Sequence, residues 1–243
     1  MLQDARVILD RLITDELTFD GKGTPLQVTG AISLLEAEWI RELILENEFR
    51  VCLETGVAYG ASTIAICSAL SALENQSSSV KLYGVDPCQL DVYGGAAIAA
   101  LKECGLDHIL ELCEGPSHLM LPKLIERNVS VDFVFIDGMH TFDYTLVDLF
   151  PSDKLLRTGG VICIHDMHLP SKRKALRYLM GHRKYVRQPS LKRSLTKRVG
   201  AAFKEALKGS LRSGWSHLTT VELMAVLKKV ADFEPAWDFY ERI

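Results

Sequence analysis

The segment 53–62, Leu-Glu-Thr-Gly-Val-Ala-Tyr-Gly-Ala-Ser, most limits what this chain can fold into. The apolar residues Val51-Cys52-Leu53 are typical of a strand that is covered on both faces. Gly56 and Gly60 allow a tight turn and a close approach of the backbone to a ligand. Ser62-Thr63 suits the start of a helix. The segment therefore predicts a buried strand, a glycine turn and a helix in succession.

Glu54, at the predicted end of this strand, indicates the charge of the ligand. A carboxylate at the start of a phosphate-binding helix would repel an anion, whereas it would attract an ammonium or sulfonium group. The expected ligand is therefore S-adenosylmethionine. Asp86 ends the next predicted strand, where its carboxylate could accept hydrogen bonds from both hydroxyls of a ribose.

Two other interpretations account for the glycines. A dinucleotide-binding fold has G-x-G-x-x-G with an acid about 20 residues further on. Here the spacing is G-x-x-x-G, and Asp86 lies thirty residues after Gly56. A purely structural strand-to-helix turn also explains the glycines, but it explains less well why acids end two successive strands.

Composition indicates an ordinary globular protein. With 243 residues, 48% hydrophobic and 24% charged, the chain suffices for one α/β domain with a peripheral addition. It has no run of about 18 uncharged apolar residues that would span a membrane. Its acidic, amphipathic start predicts a cytoplasmic protein. The six cysteines, at positions 52, 67, 88, 104, 113 and 163, form no C-x-x-C pair and are expected to be reduced, largely core thiols.

Strand and helix patterns alternate after the glycine turn, which predicts an α/β fold with parallel strands joined by helices. Predicted strands cover 51–53, 80–85, 109–113, 131–136 and 160–164, and predicted helices cover 95–104, 117–126, with Ser117 as its cap, and 141–149. Ligands of such sheets bind outside the carboxyl ends of the strands. The residues expected at that edge are Glu54, Asp86, Gly115, Asp137 and Asp166.

The regions flanking the core differ from it in pattern. We predict an N-terminal helical cap over 1–48, from amphipathic patterns at 7–13 and 31–45, and an α/β core over 49–170. A basic helical insertion is predicted over 171–214, ending in a hinge at 209–214. Antiparallel sheet-edge elements are predicted over 215–243, from the segments 219–230 and 236–243.

Positive charge is concentrated in the predicted insertion. Between Ser171 and Gly214 there are fourteen Lys or Arg residues against one acid, in a chain whose net charge is −3. Two amphipathic helices with solvated basic faces would explain this pattern. An anionic partner is the alternative: a phosphorylated or nucleotide-linked sugar, an acidic lipid surface or RNA. No RNA-binding motif accompanies the charge, which argues against nucleic acid. The cap and the insertion also offer surfaces for a homodimer.

The chain resembles the class I S-adenosylmethionine-dependent methyltransferases, specifically their small O-methyltransferase-like group. The resemblance rests on the segments 53–62, 85–86, 114–117, 135–140 and 159–166. It implies a three-layer Rossmann-like fold whose mostly parallel sheet has an antiparallel C-terminal edge strand. It also implies that Glu54 and the backbone near Gly56 and Ala58 hold the methionine part, that Asp86 binds the ribose, and that Ser117 and His118 flank the adenine. The strand that bears Asp137 would form the floor beneath the sulfonium, and Gly60, Ser62 and Gly115 complete the implied cofactor site.

Related enzymes hold a magnesium ion with an aspartate equivalent to Asp137 and with acids at the end of the next strand. The matching residues here are Asp137, Asp166 and His165. In the catechol methyltransferase pattern the third ligand falls on Met167, a poor partner for a hard cation. In the macrolide-sugar pattern the final pair is Glu-Asp, where this chain has His165-Asp166. A nitrogen ligand would favour a transition metal, or no metal.

His140 matches the catalytic base of the sugar-modifying relatives, three positions after Asp137. An imidazole can accept a proton at neutral pH; a helix-capping or core histidine is the alternative. The resemblance thus implies O-methylation of a small-molecule hydroxyl, on a sugar or a natural-product scaffold, with His140 as the base. N-methylation of an amine, and a non-catalytic S-adenosylmethionine-binding protein that uses its basic segment to bind an anionic partner, remain open.

Overall fold

The computed structural model describes residues 3–74, 79–192, 199–203, 207–208, 215 and 222–240. The chain divides into two compact units, Met1–Val134 and Phe135–Ile243. The division falls inside a single strand, so it does not coincide with any of the predicted boundaries at 48, 170 and 214. Those boundaries stay predictions.

The first unit consists of alternating helices and strands. Its elements are α1 (Gln3–Ile13), β1 (Leu17–Phe19), β2 (Pro25–Gln27), α2 (Leu34–Glu46), β3 (Val51–Thr55), α3 (Ala61–Glu74), β4 (Lys81–Asp86), α4 (Ala96–Glu103), β5 (Leu110–Glu114), α5 (Ser117–Glu126) and β6 (Val131–Ile136), which continues into the second unit. Strands β3, β4 and β5 are parallel, with Leu53 opposite Tyr83 and Tyr83 opposite Glu111. The parallel arrangement predicted from the sequence is confirmed for these strands.

The second unit contains α6 (Phe142–Leu155), β7 (Leu156–Ile164), α7 (Pro170–His182), β8 (Lys184–Arg187) and β9 (Ala225–Ala231). Strand β9 pairs antiparallel with both β7 and β8. The complete sheet has the order β5-β4-β3-β6-β7-β9-β8. This order confirms a mostly parallel, helix-flanked α/β sheet with antiparallel strands at the C-terminal side.

Helix α3 follows the glycine turn and is buried over almost its whole circumference. Its residues from Ala61 to Leu70 are all buried, and both α1 and α2 pack against it. A helix that is apolar all round is stable only in the interior of a protein. The N-terminal helices therefore cover α3, and their own inward residues, such as Leu9 and Ile40, are fully buried.

The N-terminal region contains more than the predicted helices. The predicted helix at 31–45 begins only at Leu34, because Ser33 and Glu36 form a reciprocal capping box. Between the helices, β1 and β2 form an antiparallel hairpin that the sequence did not predict. The hairpin loop contacts the chain after β4, where Gly21 N donates to Gly94 O over 2.8 Å.

Two local predictions about helix ends were wrong. Pro116, and not Ser117, occupies the N-cap of α5, and no side chain caps this helix. Helix α6 does not end at 149 but continues to Leu155 and leads directly into β7.

The C-terminal half also departs from the prediction. Residues 184–187 form strand β8, although they lie in the predicted helical insertion. Within 219–230 the structure has strand β9, which extends to Ala231, while residues 236–240 form a turn and not a strand or helix. The predicted hinge at 209–214 and the last residues, 241–243, lie outside the described part of the chain.

Strand β8 is held by a buried polar group centred on Asp153 of α6. The Asp153 carboxylate accepts hydrogen bonds from Arg183 Nε at 2.9 Å and from Tyr185 OH at 2.8 Å, and Lys229 Nζ donates to the Asp153 carbonyl oxygen at 2.6 Å. Burial, together with the adjacent Asp153 carboxylate, raises the pKa of Tyr185 well above its ordinary value. Side-chain hydrogen bonds between α6 and the residues around β8 thus override the helical spacing of the basic residues.

All six cysteines are free, and four of them, at 52, 67, 104 and 163, are buried. Burial raises the pKa of these thiols, to about 11 for Cys104. The predicted reduced core thiols are confirmed at these four positions, while Cys88 and Cys113 are partly exposed.

Gly60 closes the glycine turn against helix α4. Its φ is +93°, and a Cβ placed on it would lie 2.8 Å from Ala97 Cβ. Gly105, after α4, also has a positive φ of +68°, but a Cβ there would meet no atom within 4 Å. Gly60 is therefore required both by the backbone conformation and by packing, whereas Gly105 is required by conformation alone.

We predict that Gly60→Ala lowers the free energy of unfolding more than Gly105→Ala does. Left-handed backbone costs a non-glycine residue about 1 to 2 kcal/mol at either site, and the clash with Ala97 adds about 1 to 3 kcal/mol at position 60 only. Urea unfolding of the two variants measures the difference. Adding Ala97→Gly to Gly60→Ala should recover part of the extra loss; equal losses in the two single variants would show that the contact with α4 has no effect.

Candidate functional site

The turn between β3 and α3 is held in shape by Asp86. Gly56, Ala58 and Gly60 have φ angles of 88°, 46° and 93°. Asp86 Oδ2 accepts hydrogen bonds from Val57 N at 3.0 Å and from Ala58 N at 2.8 Å, and Oδ1 accepts one from Cys88 N at 2.7 Å. The buried carboxylate therefore joins the end of β4 to the glycine turn after β3.

This position gives Asp86 a structural role that the sequence did not predict. The sequence predicts that its carboxylate binds ribose hydroxyls, yet both of its oxygens accept hydrogen bonds from backbone N–H groups. A carboxylate oxygen has two lone-pair sites, so Oδ1, which accepts one hydrogen bond, can accept a second, whereas Oδ2 already accepts two. The contact with a ribose stays a prediction.

Glu54 is fully buried at the end of β3. Its Oε2 accepts a hydrogen bond of 2.7 Å from Thr63 Oγ1, in the first turn of α3. The sequence predicted that Ser62 and Thr63 start the helix, and α3 begins one residue earlier, at Ala61. Thr63 also holds the carboxylate of Glu54, which the sequence predicted to bind the ligand. Ser62 is buried in the same turn.

Gln89 is a residue of the turn that the sequence analysis missed. It is completely buried; its Nε2 donates to Ala58 O at 2.9 Å, and its Oε1 accepts from Ala97 N at 3.3 Å. It therefore ties the glycine turn to α4. Nothing in the sequence distinguishes this glutamine from a solvent-exposed loop residue, so only the fold reveals it.

The structure brings Gly115 to the same edge of the first unit, because Gly115 N donates to Asp86 O at 3.1 Å. Its φ of +149° and the proximity of the Met120 side chain leave little room for a side chain there. Ser117 is half-buried as the first residue of α5, and His118 beside it is exposed. The adenine contacts expected of these two residues stay predictions.

In the second unit, side chains at the ends of β6 and β7 form a compact group. His165 Nδ1 lies 3.0 Å from Asp137 Oδ1, and His140 Nε2 lies 3.2 Å from Asp166 Oδ2. His140 Nε2 is also 3.9 Å from Asp137 Oδ1. We call Asp137, His140, His165 and Asp166 the acid–histidine cluster. The sequence predicted all four residues for one site, and the structure brings them together.

Exposure differs between the two histidines of this cluster. The His140 side chain is 52% exposed, whereas that of His165 is 11% exposed. His140 lies before α6, whose N-cap is Thr141, so it neither caps that helix nor belongs to the core. It is the histidine of the cluster that an incoming molecule can reach.

Asp166 has a strained backbone and a shifted pKa. Its φ is +57°, a conformation that non-glycine residues rarely adopt. Burial raises the pKa of Asp166, but the charges of the neighbouring His165, His140 and His168, and of Lys172, more than offset this, so the pKa lies below its ordinary value. Asp166 is therefore an anion at neutral pH.

The cluster fits a divalent metal ion in part. Asp137, His140 and Asp166 each offer one ligand atom, and these atoms lie within 4.8 Å of one another. The sequence suggested His165 with Asp137 and Asp166, and that set stays a prediction. His165 Nδ1 lies 3.0 Å from Asp137 Oδ1, so it could also orient that carboxylate towards an ion.

Several basic residues of the segment 171–214 lie in the interior of the protein. Helices with fully solvated basic faces would instead expose all of them. Lys172 is completely buried, and Arg183 is buried against Asp153. Arg173 Nη1 donates to the carbonyl oxygens of Met167 and His168 at 2.9 and 2.7 Å. Part of the positive charge therefore serves the interior of the second unit.

None of the helices in the described part of the chain has both the length and the apolar character needed to cross a membrane.

A family model described as a methyltransferase domain matches residues 53–167. This range begins on β3 and ends after the acid–histidine cluster, so it includes all the predicted site residues. Comparison with curated proteins gives no match by sequence.

Solved structures of O-methyltransferases have the same fold. The O-methyltransferase TomG of Streptomyces achromogenes is involved in tomaymycin synthesis and was solved with S-adenosylmethionine. It is 16% identical to this chain, with a TM-score of 0.64, and the match covers 95% of this chain and 91% of the TomG chain. The O-methyltransferase of Bacillus cereus, solved with S-adenosylhomocysteine, is 14% identical with a TM-score of 0.66, covering 95% and 92%. CalS11, a TDP-rhamnose 3'-O-methyltransferase of calicheamicin biosynthesis, is 17% identical with a TM-score of 0.51, covering 64% and 72%.

The segment that the family model matches contains the glycine turn and the strand-end acids, and the solved structures extend over 95% of the chain. Residues 53–167 therefore match a methyltransferase domain, and the chain has the fold of the O-methyltransferases.

Proposed function

We propose that this protein transfers a methyl group from S-adenosylmethionine to a hydroxyl group of a small molecule, with His140 as the general base. The observation that carries the proposal is the pairing of an accessible histidine with a half-buried carboxylate, His140 Nε2 with Asp166 Oδ2 at 3.2 Å, within a segment that matches a methyltransferase domain.

The first unit supports the choice of cofactor. TomG and the Bacillus cereus enzyme were solved with S-adenosylmethionine and with its demethylated product. Here the buried Glu54 supplies negative charge at the start of α3, which suits a cationic ligand. The residues that would hold the cofactor are Glu54, Gly56, Ala58, Gly60, Ser62, Asp86, Gly115, Ser117 and His118 in the first unit and Asp137 in the second. When bound, S-adenosylmethionine supplies a methyl group on a positively charged sulfur, and that sulfur leaves as a neutral thioether.

In the second unit, His140 would donate its Nε2–H to Asp166 Oδ2 and take the proton of the acceptor hydroxyl on Nδ1. Asp166 would then stabilise the resulting imidazolium through its Oδ2 oxygen, and the contact with Asp137 Oδ1 at 3.9 Å would add to this. His165 holds the Asp137 carboxylate in place. The residues of the cluster thus remove a proton and orient the groups, and these two contributions supply much of the help that methyl transfer from an activated donor needs.

A divalent ion held by Asp137, Asp166 and His140 would lower the pKa of the acceptor hydroxyl. A neutral imidazole has only one nitrogen lone pair, so His140 cannot bind an ion and accept a proton at the same time. The proposal therefore assigns His140 to proton removal.

The solved structures also support a class of acceptor. The TomG and CalS11 structures are from natural-product synthesis, and CalS11 acts on a nucleotide-linked sugar. We propose a hydroxyl of a sugar or natural-product scaffold as the acceptor. The exposed basic residues of α7, Lys174 and Arg177, suit an acceptor that carries negative charge.

We predict that His140→Ala lowers turnover by about 10² to 10⁴-fold, because general-base assistance contributes about that factor. The acceptor is first identified by incubating radiolabelled S-adenosylmethionine and the protein with a panel that contains a catechol, a nucleotide-linked sugar and an amine. Calorimetry should show unchanged cofactor affinity in the variant.

His108→Ala is the matched control, since His108 is another exposed histidine paired with a carboxylate, Glu74, at 3.2 Å. Turnover of this control should equal that of the wild type. Full activity of His140→Ala would exclude the base role and would favour methylation of an amine, which needs no strong base.

We predict that Glu54→Gln weakens S-adenosylmethionine binding by about tenfold or more, because the substitution removes one negative charge and leaves an acceptor for Thr63. Isothermal titration calorimetry measures the affinity. Glu126→Gln, at an exposed position at the end of α5, is the control for charge alone. Equal affinity in all three proteins would contradict an electrostatic role of Glu54.

We predict that Asp86→Asn lowers the free energy of unfolding by about 1 to 3 kcal/mol as well as the cofactor affinity, because the amide offers one acceptor oxygen where three backbone N–H groups need two. Denaturant unfolding and calorimetry measure the two effects, with the exposed Asp91→Asn as control. Loss of affinity with full stability would instead mean that Asp86 acts on the ribose alone.

A further inference from the structure

Lys172 is a buried cation that the proposed chemistry does not use. It lies in the first turn of α7, and its side chain is completely buried. Among the residues that the structure describes, none accepts a hydrogen bond from its Nζ. A buried ammonium group normally has a charged or hydrogen-bonding partner, so its position needs an explanation.

The neighbours of Lys172 along α7 are fastened to the loops that carry the acid–histidine cluster. Ser171 Oγ donates to His140 O at 2.6 Å. Arg173 Nη1 donates to Met167 O and His168 O, in the loop after Asp166. Lys172 lies between these two attachments, so the start of α7 is fixed against both halves of the cluster.

The charges of three carboxylates act on the amino group of this lysine. They belong to Asp137 and Asp166 of the cluster and to Asp148 of α6. Asp148 is itself buried, and α6 packs against α7. Burial lowers the pKa of Lys172 below its ordinary value, and the attraction of the three carboxylates offsets only part of this shift. The buried amino group of Lys172 therefore lies within electrostatic reach of the carboxylates of the cluster.

We propose that Lys172 is the resident cation of the acid–histidine cluster and that its charge keeps the affinity of the cluster for divalent metal ions low. A divalent ion at Asp137, His140 and Asp166 would be repelled by the ammonium group, which already neutralises part of the carboxylate charge. With positive charge provided in this way, His140 stays available to accept a proton. The inference deepens the proposed function, because it concerns the same cluster.

The test is a Mn²⁺ titration of the purified protein, followed by electron paramagnetic resonance, which needs neither acceptor nor methyl transfer. The wild type should bind Mn²⁺ with a dissociation constant of about 1 mM or weaker, the weak end of the range for protein oxygen sites. Lys172→Met should bind it at least about tenfold more tightly, because one positive charge has been removed beside the ion.

Three further variants locate the effect. Lys172→Arg keeps the charge and should keep the weak binding of the wild type. Lys174→Met removes an exposed lysine of the same helix, stacked over Phe142 at 4.9 Å, and should leave the affinity unchanged. Asp166→Asn added to Lys172→Met should abolish the gain, which would place the ion at the cluster.

A folded Lys172→Met protein with the Mn²⁺ affinity of the wild type would overturn the inference; circular dichroism checks the fold. A wild-type dissociation constant below about 10 μM would overturn it without any variant, because such a site would be a strong metal site despite the lysine. Failure of S-adenosylmethionine to bind would count against the proposed function and would leave the metal result unaffected.

Discussion

One carboxylate determines the shape of the turn on which the candidate cofactor site depends. Asp86 accepts hydrogen bonds from the backbone N–H groups of Val57, Ala58 and Cys88. The loops after β3 and β4 therefore cannot move independently. The same contacts stabilise Ala58 in a left-handed conformation that alanine rarely adopts. The negative charge at the strand end thus builds the binding surface first, and any contact with a ligand comes in addition.

Charge is distributed differently in the second unit, where lysine and arginine side chains enter the interior. Arg183 and Lys229 converge on Asp153, while Lys172 lies among three acids. Buried charges are costly unless they are compensated, so each of these cations constrains the helix or strand that carries it. The position of α7, whose first turn is bonded to the loops that carry the cluster, depends on such constraints.

The sequence predicted the features that depend on local pattern. The bounds of α5 and the positions of Asp137, His165 and Asp166 at strand ends follow from hydrophobic runs and from the residues that end them, whereas His140 was identified through the resemblance to known methyltransferases. It could not predict the β1–β2 hairpin, the burial of Lys172 or the role of Gln89. Their positions depend on partners that are distant in the chain, as when Tyr185 pairs with Asp153 and draws a helix-like basic stretch into β8.

Strand β8 ends the sheet as its outermost described strand, with unpaired backbone groups on one side. Its exposed side chains include Lys184 and Arg187, and Tyr185 faces inward. Arg187 is paired with the Glu222 carboxylate at 3.0 Å, whereas Lys184 adds an exposed charged side chain to this border. Lysine on an edge strand disfavours intermolecular β-pairing, because a second copy of the strand would have to cover its charge. A basic residue that suggests an anionic partner in the sequence can therefore also oppose aggregation.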